Sequence, residues 1–98
     1  MNKRISEINE NDRAIDLTAE VISIEDTKTV QSKYNDSVFR IAKAIIKDDS
    51  GSISLNLWNE QTDMVRVGDR VKIENGYVKT YREQLQLNSG KYGTLTVL

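Results

Sequence analysis

The chain holds one tryptophan, Trp58, at the end of the run Ser52-Ile53-Ser54-Leu55-Asn56-Leu57-Trp58. That run alternates at period two, as a half-buried strand does. Ile53, Leu55 and Leu57 form the apolar side and turn inward, so Ser52, Ser54, Asn56 and Trp58 share the outer side. A large aromatic among small polar residues is poorly placed for core packing. It is well placed to stack on a flat ligand, of which a nucleobase is the commonest. Two tyrosines extend the pattern. Asn75-Gly76 interrupts the strand-like stretch Arg70 to Tyr81, and a glycine inside a strand marks a bulge or a close approach of another backbone or ligand. A bulge there turns Tyr77, Lys79 and Tyr81 outward while Val78 packs inside. Trp58, Tyr77 and Tyr81 then have the makings of a stacking platform worth roughly 1–3 kcal/mol per base. The plainer alternative makes the tyrosines ordinary half-buried strand residues.

Several polar side chains accompany these aromatics. Lys79 and Arg82 flank the tyrosines, Arg40 and Lys43 lie on an earlier strand, and Lys91 sits in Gly90-Lys91-Tyr92-Gly93. They are candidates for phosphate neutralisation or are solvated surface charge. Lys33 and Tyr34 fall in the first long connection, a place where small barrels grip ligands. Asn56 shares the outer side with Trp58. Gln84, Gln86 and Asn88 line the outer side of the last strand, where they either reach base edges or face water.

Other chemistry is poorly supplied. Histidine and cysteine are both absent, which removes the commonest general acid/base, the commonest metal ligand, disulfides and thiolate zinc sites. No phosphate-cradling glycine loop and no nucleophile motif is present. Asp48-Asp49 precedes Ser50-Gly51 and reads as a turn between strands rather than a carboxylate site. The expectation is a non-enzymatic chain with no catalytic residues, no cofactor and no metal. Charge is distributed unevenly. Residues 1–30 carry four basic and seven acidic groups, residues 31–60 carry four of each, and residues 61–98 carry six basic and four acidic. The aromatic-rich last third is mildly basic although the whole chain is at −1. A nucleic-acid ligand would then be held by a modest electrostatic contribution and a larger stacking one. No apolar stretch approaches the roughly 20 residues of a membrane span, no secretory signal precedes the fold, and the lack of cysteine fits a cytoplasmic protein.

The elements that must position these residues read as all-β. Residues 1–14 are a polar lead-in anchored by Ile5 and Ile8, with room for one helical turn. Leu17 to Val30 reads as one long strand whose apolar phase changes between Ala19-Val21 and Ile22-Ile24, the sign of a bulge or strong bend. Val38 to Lys47 is a second strand of ambiguous phase: either Ala42, Ala44 and Ile46 face inward, or Phe39, Ile41 and Ile45 do. The Trp58 strand is third. Asn59 is placed to cap a short helix at Glu60 to Met64. Arg70 to Tyr81 is a fourth strand with Val71 and Ile73 inward, and Gln84 to Asn88 is a fifth with Leu85 and Leu87 inward. Five strands with a short helix between the third and fourth is the order of an OB-fold, a partly open Greek-key barrel that binds oligonucleotides or oligosaccharides. One domain is expected over residues 1–98, the barrel itself over 15–98.

On those residues a family resemblance can be stated. Ile45-Ile46-Lys47-Asp48-Asp49-Ser50-Gly51 with Ile53-Ser54-Leu55-Asn56-Leu57-Trp58 resembles the archaeal single-stranded DNA-binding proteins built on one OB-fold. So do Gly68-Asp69-Arg70-Val71-Lys72-Ile73-Glu74-Asn75-Gly76-Tyr77 and Gln84-Leu85-Gln86-Leu87-Asn88-Ser89-Gly90. The SOSS complex B subunit shares these features. Ile5-Ser6-Glu7-Ile8 is similar to the lead-in of replication protein A-type domains. The resemblance implies that Trp58, Tyr77 and Tyr81 match the family's base-stacking aromatics, with tryptophan at the Tyr77 position and phenylalanine at the Tyr81 position in some members. Asn88 stands where some relatives carry a further aromatic, which would shorten the platform. Many members continue into a tail that recruits partners, so a chain stopping at Leu98 is expected to be a trimmed domain or to lack that function. The implied role is protection of single-stranded DNA in replication, recombination or repair, by a monomer that meets replication or repair proteins. An RNA-binding domain and a protein-interaction OB subunit of a larger assembly are the alternatives.

Overall fold

The computed structural model describes residues 4–31, 37–89 and 93–98. Seven strands and one short helix follow a single 3-10 turn at Ile5–Glu7: β1 (Ile15–Ile24), β2 (Lys28–Gln31), β3 (Val38–Lys47), β4 (Ser52–Trp58), α1 (Gln61–Met64), β5 (Arg70–Tyr81), β6 (Gln84–Asn88) and β7 (Thr94–Val97). The strands run in the order β1-β3-β4-β6-β5-β7, and β1 also pairs with β5, which closes the ring. The β4–β6 pairing is parallel and the others are antiparallel. This is the expected OB-fold, with α1 between β4 and β5. No helix among the described residues is long and apolar enough to cross a membrane.

The strand count differs from the expected five for two local reasons. The predicted long first strand is divided, because Glu25–Thr27 leave the ladder before Lys28–Gln31 rejoins β3. A short last strand, Thr94–Val97, adds to the edge of β5. The predicted bulge in the first strand is present. The β1–β3 register shifts between Val21 and Ser23 and leaves Ile22 41% exposed. A bulge bends a strand and increases its twist. Here it lets residues 15–20 pair with β5 while residues 20–24 pair with β3.

The interior is filled by alternate residues of the ring. Leu17, Ala44, Ile46, Leu55, Leu57, Val71, Ile73 and Leu87 are fully buried. The ambiguous phase of β3 resolves with Ala42, Ala44 and Ile46 inward. Its alanines lie opposite leucines, Ala42 against Leu57 and Ala44 against Leu55, and such alternation of small and large fits a narrow barrel. Val78 and Leu85 are half-buried and pack against this core. The Asn75-Gly76 irregularity is also present. Ile15 pairs with Gly76 while Leu17 pairs with Ile73, so the β1–β5 register shifts there. A Cβ on Gly76 would lie 2.9 Å from Ile73 Cγ2 and 3.1 Å from the Asn88 carbonyl oxygen. A side chain here would have to displace the Ile73 methyl and press on the Asn88 carbonyl, so glycine suits the close approach of β6.

One expected cap is not formed. Asn59 does not cap α1: Glu60 occupies the N-cap position in a helical conformation with no side-chain cap bond. Asn59 sits at φ +51°, and its Oδ1 accepts from the Arg40 N–H at 3.0 Å. It stitches the chain reversal to β3 instead.

The lead-in is tied to the β3–β4 turn through Asp48. The carboxylate accepts from the N–H groups of Ile5 at 2.9 Å, Ser50 at 2.7 Å and Gly51 at 3.1 Å, and from the Ser50 hydroxyl. Ile5 and Ile8 are thereby held in the core. Burial pushes the Asp48 pKa up, but the bonds from Ser50, Ile5 and Gly51 outweigh it and hold the carboxyl below its ordinary value of 3.8. A lowered folded-state pKa gives stability that is complete above the ordinary value and drains away as pH falls through the folded one. Urea titrations at falling pH should therefore show a loss of stability in the acid range that is weaker in Asp48→Asn. Asp48→Ala should cost roughly 1–3 kcal/mol at neutral pH.

The β5–β6 hairpin turns through Arg82 and Glu83, at φ +49° and +66°. Two-residue hairpin turns with both φ positive favour Asn-Gly, because a Cβ is unfavourable there. Glu83→Gly is expected to raise the unfolding free energy by about 0.5–1 kcal/mol, after allowing for the entropy of glycine in the unfolded chain.

Candidate nucleic-acid interface

The outer face of the sheet can be built row by row from the strand registers, because paired residues point to the same side. Glu25 at the end of β1 donates its N–H to the Lys43 carbonyl at 2.8 Å. Lys43 pairs with Asn56, Asn56 with Asn88, and Asn88 with Tyr77. This row crosses the face from β1 to β5. Beside it runs Ile45, Ser54, Gln86 and Lys79. On its other side Lys28 pairs with Ile41 and Ile41 with Trp58. Gln84 and Tyr81 pair further along.

Trp58 is fixed by its indole edge. Its Nε1–H donates to Asn88 Oδ1 at 3.1 Å, while its backbone N–H donates to Gln61 Oε1 at 3.0 Å. Gln61 Nε2 in turn donates to the Ser89 hydroxyl at 2.7 Å. The indole nitrogen can only donate, so the Asn88 atom facing it is the oxygen. Asn56 Nδ2 donates to that same oxygen at 3.2 Å and to Gln86 Oε1 at 3.1 Å. One donor-only group thus sets the orientation of three amides. On the other side of the tryptophan lies Phe39, with ring centroids 5.9 Å apart and planes tilted by 57°, an arrangement aromatic pairs favour.

The predicted site residues divide into those this face gathers and those it does not. Trp58, Lys43, Asn56, Gln84, Gln86, Tyr77 and Lys79 fall on it, with Tyr77 41% exposed. Tyr81 occupies the backbone position opposite Gln84. Asn88, expected either to reach base edges or to face water, is instead 2% exposed, and its carboxamide oxygen is spent on Trp58 and Asn56. Arg40 alternates to the opposite side of β3 from Phe39 and Ile41, and its guanidinium pairs with Asp63 at 2.8 Å. Arg82 stands in the hairpin turn between β5 and β6. Lys33, Tyr34 and Lys91 lie outside the described residues.

Four contributors carry no clear signal in the sequence. Phe39 was obscured by the two possible phases of its strand. The Asp48–Gly51 turn sets Lys47 opposite Ser52, and counting back from there brings Phe39 beside the Trp58 end once the alanines are turned inward. Lys28 was absorbed into an overlong first strand. Gln61 and Ser89 act through hydrogen bonds between distant segments, for which local sequence carries no signal.

With this geometry in view, the comparisons with known proteins are direct. The family described as single-stranded DNA binding protein Ssb-like, OB fold, matches residues 9–97. The chain belongs to that family, one of binding proteins rather than catalysts. Single-stranded DNA binding protein Ssb of Saccharolobus solfataricus is 29% identical over 90 residues, which cover 92% of this chain and 60% of that protein. Replication factor A of Methanothermobacter thermautotrophicus is 32% identical over 74 residues, covering 74% of this chain and 9% of the relative. The chain therefore spans about three-fifths of the first relative's length and a small part of the second. The second OB-fold domain of replication protein A from Methanococcus maripaludis has a TM-score of 0.79 at 30% identity, with 100% of this chain and 95% of that domain covered.

The buried amide has a measurable consequence. Asn88→Ala strands the indole N–H and one Asn56 donor, so it should cost roughly 1–3 kcal/mol in urea unfolding. It should also shift Trp58 emission to the red in the folded state, because the freed indole edge turns to water.

Proposed function

We propose that this chain binds single-stranded DNA, laying successive bases on Trp58 and Tyr77 while lysines on the same face meet the phosphates. The observation that carries this reading is the pairing of a pinned tryptophan with an exposed tyrosine. The Trp58 indole is anchored through Asn88, and Tyr77 stands directly opposite Asn88 on the next strand. Aromatic faces held at defined positions on an open sheet accept any base, since every base has a π-face. Tyr81 joins the platform on the strength of its register position opposite Gln84 and of the family pattern. Lys79 is the cation best placed for phosphates, while Lys43, opposite Asn56 in the recess, is placed for a phosphate or a base edge. The family membership and the Saccharolobus relative support single-stranded DNA as the ligand. The role inferred is protection of exposed single strands during replication, recombination or repair in the cytoplasm, with the proteins of those processes as partners.

Trp58 is the only tryptophan, so its fluorescence reports on the platform directly. Titration with oligo-dT is expected to quench it strongly, and duplex DNA to leave it unchanged. Tyr77→Ala should weaken binding by roughly 1–3 kcal/mol, with Tyr81→Ala acting in the same direction. Two or three neutralised phosphates correspond to a slope of log affinity against log salt of about −1.4 to −2.1 for a single strand. A slope steeper than about −4 would mean that phosphate contacts rather than stacking dominate. Equal competition by RNA of the same sequence would broaden the ligand class. No binding at low salt would move the aromatics to a protein interface.

A further inference from the structure

Beside Trp58 the outer face is recessed. The recess has a volume of about 330 Å³ and is lined by Ile41, Asn56, Gln86, Lys43 and Glu25. Glu25 and Lys43 also border the neighbouring depression over Ile45, Ser54 and Gln84, so they stand between two hollows on one sheet face. Asp26 and Lys28 line the first hollow too and add a second carboxylate and a second ammonium. Among the described residues no ion pair takes up Glu25, Asp26 or Lys43.

A carboxylate on the path of a polyanion is repelled by phosphate. A single strand crossing this recess therefore turns its bases, and not its backbone, toward Glu25. The amide network dictates what those bases meet. Asn56 has spent its Nδ2 on Gln86 and Asn88, so its Oδ1 is left as an acceptor. Gln86 has spent its Oε1 on Asn56, so its Nε2 is left as a donor. The recess thus combines acceptors from Glu25 and Asn56 with donors from Gln86 and Lys43.

We infer that this recess is a base-reading subsite that selects an amino-bearing base, cytosine over thymine. The inference rests on the single-stranded DNA reading above and deepens it. Carboxylates accept from the cytosine N4 amino group, and the cytosine N3 and O2 acceptors suit the Gln86 amide and the Lys43 ammonium. Thymine presents a carbonyl oxygen, O4, where cytosine presents the amino group. Its lone pairs then meet an acceptor and a negative charge. The stacking platform remains indifferent to sequence, and the preference arises from Glu25.

The test is the ratio of affinities for oligo-dC and oligo-dT of equal length at neutral pH, read by Trp58 quenching in the wild-type chain and in Glu25→Ala. The Glu25 side chain is exposed and its backbone bond to Lys43 survives the substitution. The variant is expected to lower the dC:dT affinity ratio about fivefold. Its oligo-dT affinity should equal or exceed that of the wild type, because a repulsive charge is gone. A ratio that does not move overturns the subsite while leaving the stacking interface intact. So does a variant that loses both oligomers alike. Failure of the wild type to bind either oligomer overturns the interface and the subsite together.

Discussion

The outer face of this barrel depends on one hydrogen bond, from the indole N–H of Trp58 to the carboxamide oxygen of Asn88. Because the donor cannot reverse its role, the acceptor cannot flip, and the constraint passes along the sheet to Asn56 and Gln86. A polar group buried like Asn88 is costly unless it is satisfied. Here the cost is offset by two accepted bonds. The outcome is a tryptophan held by its edge, with its orientation settled before any ligand arrives. Ordering of the ring is then not charged against binding, which is how rigid aromatics contribute more affinity than mobile ones.

That bond forms only because the barrel closes around it. Trp58 and Asn88 are 30 residues apart, and they meet through the parallel pairing of β4 with β6. This pairing needs β5 to run between β1 and β6, and Gly76 eases it, because a Cβ there would press on the Asn88 carbonyl and the Ile73 side chain. On the far side, the bulge at Ile22 lets β1 serve both β3 and β5. Gly68, at φ +96°, turns the chain into β5 and donates its N–H to the Val21 carbonyl at 2.8 Å. Two irregularities in the ladder and one left-handed glycine thus set the place where Tyr77 faces out opposite Asn88.

Much of this was legible in the sequence because strand alternation has a fixed period. Trp58, Tyr77, Lys79, Gln84 and Gln86 could be assigned to one side from residue parity and the Asn75-Gly76 break. What parity cannot tell is whether a side is covered. Asn88 was assigned correctly to the outer side, yet the Trp58 ring and its neighbours bury it. Nor does parity decide a strand with apolar residues on both sides, so the side Phe39 takes is set only by the pairing of β3 with β4. Arg40 shows the converse limit. Its charge suggested a phosphate contact, but it alternates away from Phe39 and finds Asp63 on α1. The Asn59 cap failed for another reason: a sharp exit from β4 needed a residue that tolerates positive φ, and asparagine answered that need rather than the helix.

The charges on the interface also follow from the rest of the molecule. Arg4, Arg40 and Lys72 are engaged with Asp49, Asp63 and Glu74 away from the aromatic row. The outer face keeps Lys28, Lys43 and Lys79 but sets Glu25 and Asp26 among them. Such a face projects little net field, so long-range attraction for a polyanion is weak. On the proposed reading, binding then comes from short-range contacts that need the bases unstacked and presented, which a duplex does not offer. On that reading, discrimination between single and double strands needs no dedicated residue. It follows from an interface that is aromatic and amide-lined, with little net charge.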